Sequence, residues 1–222
     1  MNRKQVNISD RRCFLYHDNG ATHLLIQPVD EHDLEVLDQE VEMIKALSNK
    51  NFSLVAFMIK DWSQELTPWP APPVFGKIPF GSGAEDTLKF ITNQLLPEVQ
   101  EAPSHILLGG YSLAGLFALW AGYQSDKFNG VVAASPSVWY PKWIEYASSN
   151  TPHTKAVYLS LGDKEEKTKN PVMSQVGNAI RRQHEVLTEQ GIKTILEWNT
   201  GNHFVDSGKR TAKGFAWVMN NE

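Results

Sequence analysis

Residues 105–115, HILLGGYSLAG, constrain the fold of this 222-residue chain more than any other segment. An apolar run typical of a buried strand leads through Ser112 directly into the apolar helix sequence LAGLFALW. The small residues Gly110 and Ala114 flank Ser112, where a sharp strand-to-helix turn brings two backbones close together. Such a turn lifts a hydroxyl above the end of a sheet, so Ser112 is the candidate nucleophile. The alternative is that Ser112 only caps a buried helix.

The rest of the chain alternates strand-like and helix-like segments. Apolar runs predict strands at 12–16, 22–27, 52–59, 105–109, 130–134, 156–161 and 192–198. Apolar residues spaced three and four apart predict four helices. The first is capped by Asp33 and the second begins at Ala84. The third is opened by Asn170 and Pro171, with Val172 facing the core, and the fourth covers 209–220. This alternation implies parallel strands joined by right-handed crossovers. We predict a doubly wound α/β fold, with residues 1–222 as one domain.

Composition narrows the classes of partner. The formal net charge of -4 gives no electrostatic reason to expect nucleic acid or an anionic membrane surface. Cys13 is the only cysteine, so no internal disulfide forms. The start, MNRKQVN, is charged where a signal peptide is apolar, and no run approaches the roughly 20 apolar residues of a membrane span. We expect a small-molecule substrate, no nucleic-acid or membrane partner, and a cytoplasmic location; the oligomeric state stays open.

His203 is the candidate general base among seven histidines. It lies in the segment TGNHF, just after the predicted strand at 192–198, and α/β folds place their chemistry at the carboxyl ends of strands. A neutral imidazole there can accept the Ser112 proton and later return it to a leaving alcohol. Exposure or packing accounts for the other six, which are His17, His23, His32, His105, His153 and His184.

Three carboxylates follow the strand at 156–161 and are candidates for the acid that orients the histidine. Glu165 is the first choice, because its position three residues past Gly162 suits a side chain that turns inward from a strand end. Asp163 is the second candidate and Glu166 the third. The alternative is that the run DKEEK is a solvated charged loop. In chain order the serine comes first, then the acid and then the histidine, which is the order that the connectivity of such a fold imposes.

An ester-cleaving site also needs N–H donors for the oxyanion of the tetrahedral intermediate. The N–H of Leu113, directly after the nucleophile, is the first candidate. The second comes from the loop after an early strand, here residues 27–30, in which Pro28 has no N–H. That leaves Val29, or else Asp30.

Four segments resemble motifs of the Putative esterase family of α/β-hydrolases, which includes esterase D, feruloyl esterases and enterochelin-type siderophore esterases. They are GGYSLAGL (109–116), ASPSVWY (134–140), LGDKEE (161–166) and GNHF (201–204). The resemblance implies an α/β-hydrolase fold with a mostly parallel central sheet, helices on both faces and little or no cap domain. It also implies cleavage of small-molecule carboxylic esters through an acyl-enzyme on Ser112, with His203 and either Glu165 or Asp163. Ala114 stands where the family usually has glycine, and no His-Gly pair occurs at 27–30.

Aromatic residues suggest the kind of ester. Trp62, Trp69, Trp139 and Trp143 lie in segments expected at the carboxyl ends of the strands, with Tyr111 beside the nucleophile. Trp62 and Trp69 belong to an excursion at 61–83 that is rich in proline and glycine. If they line the cleft, hydrophobic or aromatic acyl esters are favoured. The alternative is that they stack on one another and cover the core.

Rival functions remain open. The same residues suit an acyltransferase or thioesterase, and the scaffold also suits a binding protein without turnover. No cofactor motif competes, because Gly81-Ser-Gly-Ala opens no strand-to-helix phosphate turn and no His-Glu-x-x-His occurs. We therefore expect neither a cofactor nor a metal.

Overall fold

The computed structural model describes residues 1–99 and 104–222, whose strands form one eight-stranded sheet. The strands are β1 (Arg3–Ile8), β2 (Arg11–Tyr16), β3 (His23–Val29), β4 (Phe52–Met58), β5 (His105–Tyr111), β6 (Gly130–Ala134), β7 (Ala156–Gly162) and β8 (Lys193–Asn199). Their order across the sheet is β1-β2-β4-β3-β5-β6-β7-β8. The pairs of β2 with β1 and with β4 are antiparallel, and the other neighbours are parallel.

Helices cover both faces of this sheet. They are α1 (Glu31–Leu47), α2 (Trp62–Glu65), α3 (Ala84–Phe90), α4 (Leu96–Glu98), α5 (Leu113–Gln124), α6 (Trp143–Ser149), α7 (Val176–Glu189) and α8 (Ser207–Met219), with a π-helical turn, Ile91–Leu95, between α3 and α4. Leu37 of α1 and Phe215 of α8 belong to one core, and Phe117 of α5 and Ile180 of α7 belong to the other. The predicted doubly wound α/β fold is confirmed. Within the described residues, no helix has both the length and the apolar character to cross a membrane.

The predicted strands agree with the observed ones to within two residues, because their continuous apolar runs are covered from both sides. Every residue of β3, β6 and β7 is buried. The strand that the sequence did not predict is β1, which lies at the edge of the sheet and buries only Ile8. A mostly exposed edge strand carries little of the hydrophobic signal by which strands are recognised.

The cap of α1 differs from the prediction. Asp30 is the N-cap, and its carboxylate accepts the N–H of Asp33 at 2.9 Å. Asp33 returns the interaction by accepting the Asp30 N–H at 3.1 Å, which completes a capping box. The prediction of Asp33 as the cap was therefore wrong by one helical turn.

The start of α7 also differs. A short 3-10 helix, Met173–Gln175, precedes it, so Asn170 and Pro171 do not open the regular helix. The Asn170 side chain instead accepts the N–H groups of Val172 and Met173. Val172 is 39% exposed, contrary to its predicted place in the core.

The excursion at 61–83 packs against the segment that follows β6. The Trp69 indole N–H donates to the Pro141 carbonyl at 2.9 Å, and the Tyr140 hydroxyl donates to the Trp69 carbonyl at 2.6 Å. An isolated bridge joins Ala71 to Phe80 within the excursion. These bonds satisfy backbone groups that its prolines and glycines leave outside helices and strands.

Candidate active site

Ser112 lies on a strained turn between β5 and α5. Its φ of 58° and ψ of -121° are outside the regions that a non-glycine residue ordinarily adopts. A Cβ at Gly110 would lie 2.7 Å from the Ala114 carbonyl carbon, so only glycine lets strand and helix approach this closely. The Ser112 hydroxyl makes no capping bond to α5. The hydroxyl is therefore held above the sheet edge and left available to other partners.

A continuous relay of hydrogen bonds joins three of the predicted residues. His203 Nε2 lies 3.0 Å from Ser112 Oγ, and His203 Nδ1 lies 2.7 Å from Glu165 Oε2. The Glu165 side chain is 4% exposed, whereas that of His203 is 25% exposed. A proton leaving Ser112 thus has an acceptor within reach, and a buried carboxylate holds that acceptor from its far side.

The other two acid candidates lie nearby but contact different partners. Asp163 Oδ1 accepts the N–H of Gly201 at 2.8 Å and so anchors the loop that carries His203. Glu166 forms an ion pair with Arg181 at 3.1 Å. Of the three carboxylates, only Glu165 turns inward to the imidazole.

Arg210, which the sequence reasoning missed, lies beneath this relay. It extends from α8, is 1% exposed, and donates from Nη1 to Glu165 Oε1 at 2.7 Å. The same oxygen accepts the Ser135 hydroxyl at 2.7 Å and the Gly162 N–H at 2.7 Å. One carboxylate oxygen therefore faces a cation and two neutral donors, and the other faces His203.

Arg210 also ties down the loop of the histidine. Its Nη2 donates to the carbonyls of Thr200 at 3.3 Å and Asn202 at 3.0 Å. The Tyr111 hydroxyl accepts from Arg210 at 3.0 Å and donates to the His203 carbonyl at 2.8 Å. The planar guanidinium thus connects the acid to the loop of the base, a geometry for which arginine's fork of donors is suited.

These contacts determine the ionisation of Glu165. Burial raises the pKa of the carboxyl. The hydrogen bond and charge of His203, together with the hydrogen bonds from Ser135 and the Gly162 N–H, lower this pKa by more than burial raises it. The resulting pKa lies below the ordinary value of 4.5. Glu165 is therefore a carboxylate at neutral pH.

One signal in the sequence pointed to Arg210. It lies eight residues before Val218, on the same stripe of α8 as that predicted anchor. A charged residue on the apolar stripe of a helix is expensive to bury unless it is paired. That position therefore indicates a buried partner.

Two backbone N–H groups are candidates for the oxyanion hole. Leu113 is the first residue of α5, where N–H groups have no acceptor within the helix. The N–H of Asp30 is already bonded to the Asp33 carboxylate in the capping box. Val29 is the last residue of β3 and is paired with Met58 of β4, and its carbonyl accepts the Ile59 N–H at 3.0 Å. The second oxyanion donor, Val29 or Asp30, therefore stays a prediction.

A cavity of about 430 Å³ opens beside Glu165 and His203. Trp139 forms part of its wall, and the other apolar side chains around it are Pro136, Met173, Val176 and Phe204. Lys164 and Lys167 also line it. Phe204 is 91% exposed, which leaves a large apolar face at the entrance.

The structure does not bring the other predicted aromatic residues into this cavity. Trp62 lines a separate depression with Asp30 and Met58. Trp69 stacks on Trp143 at 6.4 Å within the aromatic cluster under the excursion. Tyr111 uses its hydroxyl to hold the His203 loop, and burial, followed by the charge of Glu165, raises its pKa to about 12. For Trp69 the alternative of aromatic stacking is therefore the observed one.

The sheet order, the strained serine between strand and helix, and the late histidine define an α/β-hydrolase. The sequence profile of the Putative esterase family matches residues 44–208, well over half of the chain. The chain belongs to that family, and the resemblance stated from its motifs is confirmed. A relative in Bacillus subtilis strain 168, the uncharacterized protein YbbA, is 30% identical over 137 residues, or 57% of this chain. The match spans 55% of that relative's length.

Solved structures share the fold. An IroE-like serine hydrolase from Shewanella oneidensis superposes with a TM-score of 0.79 at 17% identity, over 97% of this chain and 79% of that one. Siderophore hydrolase EstA from Aspergillus nidulans gives 0.66 at 18%, over 99% and 94%. The enterobactin esterase FES from Shigella flexneri gives 0.72 at 16%, over 99% and 60%. At these identities the likeness demonstrates the fold, and the α/β-hydrolase architecture is confirmed.

Proposed function

We propose that the chain hydrolyses carboxylic esters of small molecules, with Ser112 as nucleophile, His203 as general base and acid, and Glu165 as the acid that orients the imidazole. The observation that carries the proposal is the relay from Ser112 Oγ through both nitrogens of His203 to Glu165. Membership of the Putative esterase family supports the same reaction class. Asp163 is left with a structural role in the His203 loop.

Acylation begins when Ser112 Oγ attacks the ester carbonyl carbon and His203 Nε2 takes the hydroxyl proton. The carbonyl electrons move to the oxygen, which accepts the N–H of Leu113 and that of a second backbone donor, predicted at the end of β3. When the intermediate collapses, the bond to the alkoxy oxygen breaks and His203 gives that oxygen its proton. The products of this half are a Ser112 acyl ester and a free alcohol.

Deacylation repeats these steps with water in place of the alcohol. His203 removes a proton from water, the hydroxide oxygen bonds to the acyl carbon, and the bond to Ser112 Oγ breaks as that oxygen regains a proton. The carboxylic acid leaves. Glu165 remains ionised throughout, because its depressed pKa keeps it a carboxylate that stabilises the imidazolium formed in each half.

The cavity beside the relay supports hydrophobic or aromatic acyl esters as substrates. Trp139 and Phe204 offer aromatic faces to an acyl group. If that acyl group is aromatic and carries an acidic substituent, Lys164 and Lys167 offer it positive charge. Three of the solved structures with this fold are called siderophore hydrolases or an enterobactin esterase. Siderophore-type esters are therefore among the substrates that we propose to test first.

Labelling with a fluorophosphonate tests the nucleophile. We expect one adduct on the peptide that contains Ser112 and none in Ser112→Ala. Ser137 is the matched control, since its hydroxyl lies 3.4 Å from that of Ser112 and its own removal should leave labelling in place. A wild-type protein that is folded but unlabelled would favour a binding protein on the hydrolase scaffold.

A panel of esters tests the substrate class and the acyl acceptor. Aryl and long-chain acyl esters should be cleaved faster than short charged ones, and Trp139→Ala should reduce that preference mainly by raising KM. Trp217→Ala on α8 is the matched control, because Trp217 packs on Tyr158 away from the cavity. A strict preference for short charged acyl groups would contradict the substrate class. An acyl product formed faster with an added alcohol or thiol than with water would favour a transferase.

A further inference from the structure

A second cluster of side chains that could bind a ligand lies at the amino-terminal ends of β3 and β5, at the opposite end of the strands from Ser112. His23 and His105 are the first residues of β3 and β5, and they are paired across the two strands. The Glu222 carboxylate reaches them from beyond α8, with Oε1 2.8 Å from His23 Nε2 and 3.1 Å from His105 Nδ1. One ligand atom from each residue falls within 4.8 Å of the other two.

A neighbouring hydroxyl orients the His23 ring. Thr22 Oγ1 donates to the Asn51 carbonyl at 3.2 Å and lies 2.8 Å from His23 Nδ1. The hydroxyl has only one proton, so when it donates to the Asn51 carbonyl it accepts from His23 Nδ1–H. In the neutral imidazole this leaves Nε2 with a free lone pair facing the carboxylate. A hydrogen bond at the second ring nitrogen is how proteins orient metal-binding histidines.

The facing atoms of this cluster are buried close to one another. Among the described residues, both carboxylate oxygens of Glu222 and Nδ1 of His105 are buried and make no hydrogen bond, although the contacts to Oε1 are short. The Glu222 side chain is only 4% exposed. A buried carboxylate beside two imidazole nitrogens needs a positive charge to offset its desolvation. A cation between the three groups satisfies all of them together.

We propose that His23, His105 and Glu222 form a binding site for a zinc ion. Two imidazoles and one carboxylate are ligands that zinc takes at about 2.0–2.2 Å, which separates ligand atoms of a tetrahedral site by about 3.4 Å. The contacts of Glu222 Oε1 with His23 and His105, 2.8 and 3.1 Å, are shorter than this and lengthen on binding. The His105 side chain is 41% exposed, so solvent reaches this side of the proposed site and the fourth coordination position is open to it.

Binding requires one rearrangement within the cluster. The two imidazole rings are stacked, with centroids 4.8 Å apart and planes inclined by 19°. Nearly parallel rings direct their lone pairs side by side, so the exposed His105 ring turns to aim Nδ1 at the ion while Thr22 keeps His23 in place. The sequence suggested no metal, because the three ligands lie far apart along the chain.

The site is independent of the proposed esterase. Ser112 follows the far end of β5, about 23 Å from His105 at the rise of an extended strand. Zinc there joins β3, β5 and the residues after α8. Its effect should therefore be on stability, through preferential binding to the folded state.

Calorimetry on the untagged, metal-stripped 1–222 chain tests the proposal with zinc chloride as the titrant. We expect one zinc per chain, a Tm higher by a few degrees, and no binding of magnesium, which prefers oxygen ligands. Cobalt substitution should give the visible absorption of a tetrahedral site. His105→Ala and Glu222→Gln should each bind zinc more than about 100-fold more weakly than wild type. Loss of a residue that only supports a metal ligand already lowers metal affinity by about 10–100-fold.

His153→Ala is the matched control, since this exposed histidine lies in a loop outside the cluster. It should keep the full zinc affinity, and all three variants should keep wild-type ester cleavage, which also shows that they fold. The absence of saturable zinc binding by the wild-type chain would overturn the proposal. So would unchanged affinity in Glu222→Gln, a substitution of nearly the same shape.

Discussion

Arg210 donates a 2.7 Å hydrogen bond to Oε1 of Glu165, the carboxylate whose other oxygen lies 2.7 Å from His203. The guanidinium is buried on α8 and also binds two carbonyls of the His203 loop. A single side chain therefore contacts both Glu165 and the loop that carries His203. We regard Arg210 as a positioning residue, because it reaches the reacting atoms only through these two groups.

Arg210→Lys should lower kcat by about tenfold or more while changing KM little, because an ammonium cannot reproduce the planar fork that binds the carboxylate and the loop. Arg210→Met removes the charge and should cost about 3–5 kcal/mol of unfolding free energy, as expected when a buried ion pair loses one partner. Steady-state kinetics and urea denaturation measure these effects. Arg182→Lys is the control, since its ion pairs lie on the exposed face of α7. Wild-type kinetics in Arg210→Lys would rule out the positioning role.

The three acidic candidates give separable predictions. Glu165→Gln should lower kcat by about 10⁴-fold, the cost of the corresponding amide substitution in a serine protease triad, because the amide favours the wrong imidazole tautomer. Asp163→Asn keeps an oxygen for the Gly201 N–H and should lose less than about tenfold. Glu166→Gln loses only an ion pair with Arg181 and should keep wild-type activity. If Asp163→Asn were the most damaging change, the acid would be misassigned.

Ser135→Ala tests the neutral donor to the acid. It removes the 2.7 Å bond to Glu165 and an acceptor for Arg210, so we expect about 1–3 kcal/mol of lost stability and a lower kcat. Ser160→Ala on β7 is the matched control, because that hydroxyl is equally buried but makes no hydrogen bond to any residue that the structure describes. Thermal unfolding and kinetics of both variants provide the comparison. Equal effects would show that the Ser135 bond contributes nothing specific.

Gly162→Ala tests how closely the acid and base loops approach. The added methyl would lie 2.4 Å from the Gly201 carbonyl oxygen and 2.9 Å from Glu165 Oε1. We expect kcat to fall by about 10²-fold, the scale of a displacement of about 1 Å in a catalytic group. Gly20→Ala, in a surface turn with a nearest contact of 3.2 Å, should leave activity unchanged. Full activity in Gly162→Ala would mean that the loops carrying Glu165 and His203 can move apart without loss of kcat.

A buried carboxyl on α1 predicts how stability depends on pH. Burial, followed by the charge of Asp33, raises the pKa of Glu40 well above its ordinary value of 4.5. The unfolded chain then releases this proton at a lower pH than the folded one. The contribution of protonated Glu40 to the free energy of unfolding is retained below about pH 4.5 and falls by about 1.4 kcal/mol per pH unit as pH rises toward the folded pKa.

Glu40→Gln cannot ionise, so its stability relative to wild type should increase with pH. Urea denaturation at about pH 5 and about pH 8 measures the difference. Glu42→Gln on the same helix is the control, because Glu42 is exposed and its pKa is lowered by hydrogen bonds from Lys45 and the amino terminus. A constant difference between Glu40→Gln and wild type at the two pH values would show that Glu40 is ionised in the folded protein.

Features that depend on local pattern were predictable from the sequence. Continuous apolar runs identified the buried strands, and small residues around Ser112 identified the turn, because each signal lies within a few neighbouring residues. His203 followed from its place after the last strand, since parallel strands bring their carboxyl ends to one edge. The single-domain organisation and the cytoplasmic location stay predictions.

Contacts between distant segments select the carboxylate that faces the imidazole. Asp163, Glu165 and Glu166 are nearly equivalent in sequence, and Glu165 differs because Arg210, 45 residues away, reaches it in the core. The cluster of His23, His105 and Glu222 likewise forms only when two strands and the residues after the last helix meet. Such pairings depend on contacts between distant parts of the chain, which local periodicity does not encode.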